Sequence, residues 1–217
     1  MTDRPSGADA PTGADASADA DAPTGADRLS GPDAFAAADA VVYDLDGTLL
    51  ELVVDWDRVA DDVAAAYAEH ALIPPTEDLW KLLDAAEEYG IGAEVEAAIA
   101  DHERAGAARS RLLPLGERLL SGADTRPAAV CSLNCEAACH IALEEHGLVE
   151  TVDAVVGRDT VETHKPEPES LLAAIDAIDA EPDRAVFVGD SASDAVTADR
   201  AGVAFVSVAD ALASDDI

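Results

Sequence analysis

The chain has 217 residues, enough for one sizeable domain or one domain with a modest insertion. Its 46 acidic and 13 basic residues give a net charge of -33, which repels anionic polymers and surfaces and so excludes nucleic acid and membranes from the expected partners. Lysine is confined to Lys81 and Lys165, alanine is abundant and aromatics are few, the composition of a cytoplasmic protein from a salt-accumulating halophile.

Residues 1–37 are mostly Ala, Asp, Gly, Pro, Ser and Thr with almost no large apolar side chain, and the heptad beginning at Asp9 recurs unchanged from Asp21. Such a segment cannot bury enough apolar surface to offset its ordering entropy, so a disordered acidic tail is expected there. The first predicted strand, residues 40–43, is wholly apolar and runs into Asp44-Leu45-Asp46-Gly47-Thr48-Leu49. Two carboxylates one residue apart at a strand end suit phosphoryl transfer through an aspartyl-phosphate, one attacking phosphorus while the other handles the proton. Gly47 allows a turn close to a bound anion.

About eighty residues follow with helical periodicity and no clear strand, at roughly 56–70, 76–89 and 93–112. Pro74-Pro75, Gly90 with Gly92, and Pro114 with Gly116 mark the breaks. This interval exceeds what a crossover helix requires. It predicts a small α-helical cap at 52–114, inserted into a core made of 38–51 and 115–217. Within that core, apolar strands at 128–132, 154–156, 185–188 and 203–208 alternate with helices at 135–146, 167–178 and 193–201. Continuous apolar strands between helices predict an open, doubly wound, Rossmann-like α/β domain on a parallel sheet. Cys131, Cys135 and Cys139 match no usual zinc spacing and read as core thiols of a reducing compartment. No stretch approaches the apolar length of a membrane span, and the chain opens without an export pattern.

Ligands of such a sheet sit beyond the C-terminal ends of its strands. There the sequence places Asp44 and Asp46, Ser132 in Val130-Cys-Ser-Leu-Asn134, and Asp190 in Val188-Gly-Asp-Ser-Ala-Ser-Asp194, with Lys165 ahead of the fourth core strand. Ser132 can donate to a nonbridging phosphate oxygen, and Lys165 can offset the repulsion between phosphate and Asp44. Asp190 and Asp194, one helical turn apart, form with Asp44 an oxygen-rich site suited to Mg2+.

This ordered set resembles the four motifs of the haloacid dehalogenase-like hydrolase superfamily across residues 38–208, and residues 189–202 are similar to its phosphoglycolate phosphatase branch, whose insertion is a helical cap. The resemblance implies that Asp44 is the nucleophile, that Asp46 is the acid and base with its carbonyl on Mg2+, and that Ser132 and Lys165 hold the phosphoryl group. It also implies that Asp190 ligates the metal and that Asp194 supports it. Two departures are a motif reading Ser-Leu-Asn where Asn usually follows Ser or Thr directly, and a short cap. Asp46 argues against dehalogenation. A sugar-phosphate mutase of the same superfamily shares the catalytic set, and a phosphoacceptor signalling domain is the reading from another class. The expected substrate is a small phosphorylated metabolite such as phosphoglycolate, with Arg58, Lys81, Arg104 and Arg109 as cap cations for a substrate carboxylate. Oligomeric state is not legible.

Overall fold

Every residue of Ala40–Tyr43 is buried, because this segment forms β1 at the centre of a sheet covered on both faces. A computed structural model describes residues 31–214; the expected tail over 1–30 lies outside them. Two short strands, β2 (Leu50–Glu51) and β3 (Arg111–Leu112), pair antiparallel with each other. The main sheet adds β4 (Ala128–Cys131), β5 (Ala154–Val156), β6 (Ala185–Gly189) and β7 (Ala204–Ser207) to β1, in the order β5-β4-β1-β6-β7. All four of its pairings are parallel. The fold is therefore the doubly wound α/β architecture expected from the sequence, with its order reversing around β1.

Side-chain alternation divides the core in two. Val41 and Tyr43 of β1, Val130 of β4 and Val186 of β6 point to one apolar cluster, whereas Val42, Cys131 and Phe187 point to the other. The first face is covered by α1 (Gly31–Ala37), α5 (Pro114–Leu120), α6 (Glu136–Glu145) and α9 (Val208–Ala213); α7 (Glu169–Asp176) and α8 (Ala192–Ala201) cover the second.

Three helices lie between β2 and β3: α2 (Trp56–Glu69), α3 (Leu79–Glu88) and α4 (Gly92–Ala107). They bury their own cluster, including Val59, Val63, Tyr67, Leu82 and Val95. Asp55 and Asp78 cap α2 and α3 by accepting from backbone N–H groups of the first turn. The third helix is shorter than its periodicity suggested. It stops at Ala107, and Arg111–Leu112 turns back to pair with Leu50–Glu51, so the two chain crossings of the insertion meet in one ribbon.

The last seven residues of the segment expected to be disordered form α1 instead. Phe35, the one large apolar side chain among these seven, is buried under the guanidinium of Arg126, which sits 4.6 Å above its ring and donates to the carbonyls of Phe35 (2.6 Å) and Ala38 (3.2 Å). The stretch read as strand to Val208 also ends sooner, since the Ser207 side chain accepts from Asp210 N–H (3.1 Å) and starts α9. Among the described residues, no helix is long and apolar enough to cross a membrane.

Candidate active site

Beyond β1 the chain stays anchored for one more residue: the N–H of Asp44 donates to Val188 O of β6 at 2.8 Å. Asp44 is thereby fixed between the two central strands at their C-terminal edge, 6% exposed. The chain then turns on Gly47, whose φ of 86° lies in the left-handed region. Leu49 and Leu50 both donate to Leu45 O at 3.0 Å, and Leu52 N–H donates to Asp46 Oδ1 at 2.8 Å, which holds that carboxylate at the pocket wall. A Cβ on Gly47 would run into the Asp190 carboxylate. Gly47→Ala is therefore expected to lower stability by about 1–2 kcal/mol from the left-handed backbone alone, with further loss from displacing Asp190. Urea midpoints with an unchanged m-value would measure it; an unaltered midpoint would refute the close approach.

Lys165, 4% exposed, reaches the same place from the loop before α7. Its Nζ donates to Asp44 Oδ1 at 2.7 Å and to Asp194 Oδ1 at 2.6 Å. Asp194 belongs to a capping box that starts α8: its Oδ2 accepts from Ser191 N–H (3.0 Å) and Ser191 Oγ (2.6 Å), while Asp194 N–H donates to Ser191 Oγ (3.2 Å). Gly189 makes room for it, since a Cβ there would stand 2.6 Å from Asp194 Oδ2. His164, next to Lys165, places Nε2 3.0 Å from Asp84 Oδ1 on α3, so the lysine's loop is tied to the helical insertion.

Asp44, Asp46, Lys165 and Ser191 line a cavity of about 200 Å³ together with Ser132, Asn134 and Asp190, and Asp194 lies behind Lys165. Trp56 and Trp80, edge to face at a centroid distance of 6.3 Å, form its helical wall. A larger depression of about 580 Å³, lined by Val53, Val54, Asp55, Trp56, Asp57 and Arg109, holds none of the strand-end groups.

Electrostatically the site is short of positive charge. Burial pushes the Asp44 carboxyl up to about 7 against the opposing pull of Lys165, and Asp194 adds to the rise. Burial would discharge Lys165, but Asp44 and Asp194 outweigh it and hold the ammonium above its ordinary range. Asp46 and Asp190 are also raised by burial; the Leu52 N–H opposes this at Asp46, and Asp194 adds to it at Asp190. Asp44, Asp190 and Asp194 each offer a carboxylate oxygen within 4.8 Å of the others. Three carboxylates facing one ammonium leave two negative charges, a donor set that fits a hard divalent cation. The Asp46 carboxylate, turned to Leu52, is outside that cluster.

The structure thus gathers Asp44, Asp46, Ser132, Lys165, Asp190 and Asp194 around one cavity or its floor. It does not bring the four cap cations there. Arg58 pairs with Asp55, Lys81 with Asp78 and Arg104 with Asp101, and Arg109 donates to the carbonyls of Ala105 and Val53. Two wall residues, Trp56 and Trp80, escaped the sequence reading; each lies at the N-terminal start of its helix, a position that periodicity alone does not single out. The cysteines are buried, and burial pushes the Cys131 and Cys135 thiols up to about 11, which leaves them inert core groups.

Comparison with known proteins bears on this arrangement. The profile of the haloacid dehalogenase-like hydrolases matches residues 124–208. A phosphoglycolate phosphatase of Rhodospirillum rubrum is 32% identical over 193 residues, spanning 77% of this chain and 78% of that one. A fructose-1-phosphate phosphatase of Escherichia coli is 29% identical over 182 residues, 77% of this chain and 95% of its own. CbbY from Rhodobacter sphaeroides, solved in complex with phosphate, has the same fold with a TM-score of 0.60 at 20% identity, covering 78% of this chain and 85% of that one.

Proposed function

Because the chain belongs to the haloacid dehalogenase-like hydrolases, we propose that it hydrolyses a small phosphomonoester, phosphoglycolate being the first to test, through an aspartyl-phosphate on Asp44. The observation that carries this reading is Lys165, which bridges Asp44 and Asp194 at the floor of the cavity. A buried ammonium between a nucleophilic carboxylate and a second acid can draw in a phosphoryl group without being lost to solvent. Asp44 Oδ would attack phosphorus as the ester oxygen departs; Asp46, held by Leu52 and made a stronger proton carrier by burial, would protonate that oxygen. The same Asp46 then takes a proton from the water that cleaves the phosphoaspartate. Ser132 and Lys165 would hold the nonbridging oxygens, and the helical layer at 52–114, which bears Trp56 and Trp80, would act as a lid over the cavity that excludes bulk water.

Mg2+ held by Asp44, Asp190 and the Asp46 carbonyl, with Asp194 behind, would supply charge neutralisation for the dianionic phosphoryl group. Phosphate release from a panel of small phosphomonoesters, in concentrated KCl to screen the net charge of -33, with and without Mg2+, tests the reading. Release that requires Mg2+ supports it; no release from any ester by folded protein would put the mutase and phosphoacceptor readings ahead.

Stability gives a second check. Folding without metal moves the Asp44 carboxyl from its ordinary 3.8 up to about 7, so the folded state keeps a proton that the unfolded chain has lost. That contribution is complete below the ordinary value and is lost as pH rises through the folded one. The unfolding midpoint in EDTA should therefore fall between about pH 4 and about pH 7, and Mg2+, which favours the ionised carboxylate, should restore most at the alkaline end. A midpoint indifferent to Mg2+ at every pH would sink the metal assignment.

A further inference from the structure

Glu96 and Glu103 lie seven residues apart on α4 and so share a face of that helix. What they face is Arg158, in the segment after β5, whose side chain is almost wholly buried. Its Nε and Nη2 donate to the two oxygens of Glu96 (3.0 and 2.7 Å), and Nη1 and Nη2 donate to those of Glu103 (2.7 and 3.1 Å). Nη1 also donates to Leu133 O at 2.5 Å, so the guanidinium spends its donors entirely on these groups. Its far face lies over Trp80, 5.3 Å from the ring centroid.

Glu103 is fully buried and continues the chain of contacts towards the cavity. Its Oε2 accepts from Cys135 N–H at the start of α6 (2.9 Å), and its Oε1 accepts from Asn134 Nδ2 (3.4 Å). Asn134 Oδ1 in turn accepts from Ser132 Oγ (3.1 Å), and Ser132 Oγ accepts from Asn134 N–H (3.2 Å). A hydrogen-bonded line thus runs from the helical layer to the hydroxyl expected to meet the phosphoryl group. It also sets a carboxylate on the N-terminal end of α6, where an incoming phosphate would seek the same positive pole.

We propose that Arg158 is a positioning residue for substrate binding: it cancels the Glu103 charge beside the Ser132–Cys135 turn and, through Glu103 and Asn134, fixes the Ser132 hydroxyl. This rests on the reading of the cavity as a phosphoryl site. Without Arg158, Glu103 is a buried charge with no cation, and it either takes a proton or draws in water. The water loosens Asn134, and whatever charge Glu103 retains repels the phosphate, so the hold on phosphate weakens.

The test compares Arg158→Met, Arg158→Lys, Glu103→Gln and the double variant Arg158→Met/Glu103→Gln with the natural chain. KM and kcat for the best ester, the inhibition constant of inorganic phosphate, and the unfolding midpoint are measured in the same salt. For Arg158→Met, KM and the phosphate inhibition constant should rise together by about tenfold, with kcat changed less. The double variant, which removes the charge but keeps an acceptor for Cys135, should return both constants to within about threefold of the natural chain. Arg158→Lys keeps the charge but loses the planar fork, and both constants should rise about threefold. That variant carries the test if Arg158→Met does not fold. Unchanged constants in any folded Arg158 variant, or a double variant no better than the single one, would overturn the inference while leaving the phosphatase reading intact. Absence of phosphate release from the natural chain would instead remove the premise itself, and the inference with it.

Discussion

Asp44→Asn should reduce phosphate release by at least about three orders of magnitude while leaving the protein folded. Asparagine has the size of the aspartate and still offers an oxygen to Lys165 Nζ, so the 2.7 Å contact has a substitute. What it lacks is a carboxylate able to form the acyl phosphate. Stability should hold or rise slightly, because a carboxyl that burial pushes up to about 7 has been relieved of its desolvation cost. The two readouts together separate chemistry from folding. Undiminished release by Asp44→Asn would mean that phosphorus is attacked by another group or by water directly, and the aspartyl-phosphate would have to be abandoned. Loss of activity accompanied by unfolding would attribute the effect to the floor of the sheet, and Asp44→Glu, which lengthens the side chain but keeps the charge, would then separate the two.

The sheet was legible because burial on both faces leaves its own signature. Val41, Val42 and Tyr43, or Val186 through Val188, have no polar position to hide, and the helices between them show as period-3.6 patterns. The acidic groups and Lys165 were legible for a related reason, since each stands where an apolar run or a helix start ends, and the fold brings such ends to one edge. Contacts made by residues far apart in the chain were not. Glu103 and Asn134 are 31 positions apart and Glu96 and Arg158 are 62 apart, and neither pair has a periodicity to reveal it. Arg158 does follow an apolar strand and could have been found by the strand-end rule; Glu103, in the middle of an amphipathic helix, resembles any solvated glutamate until its burial is known. The early end of α4 was hidden for another reason. Arg111–Leu112 has helical composition, and only its pairing with Leu50–Glu51, a tertiary contact, makes it a strand.

Lys165→Met should have the largest combined effect, lowering stability by about 3–5 kcal/mol and activity by at least about a hundredfold. Methionine fills much of the same volume without charge, so the loss is electrostatic and not a cavity. Asp44 and Asp194 then share a buried site with nothing between them, and one of them must take a proton. The folded pKa of Asp44, already raised by burial, rises further above its unfolded value. The deficit should accordingly be small in acid, where both states hold the proton, and grow as pH rises towards neutrality. Adding Asp194→Asn removes the second carboxylate and part of the cap of α8, so the double variant should recover much of the lost stability at neutral pH. It should not recover activity, because the phosphoryl group still lacks its ammonium. Recovery of both would reduce Lys165 to a structural counter-ion, and recovery of neither would show that its role lies outside the Asp44–Asp194 bridge.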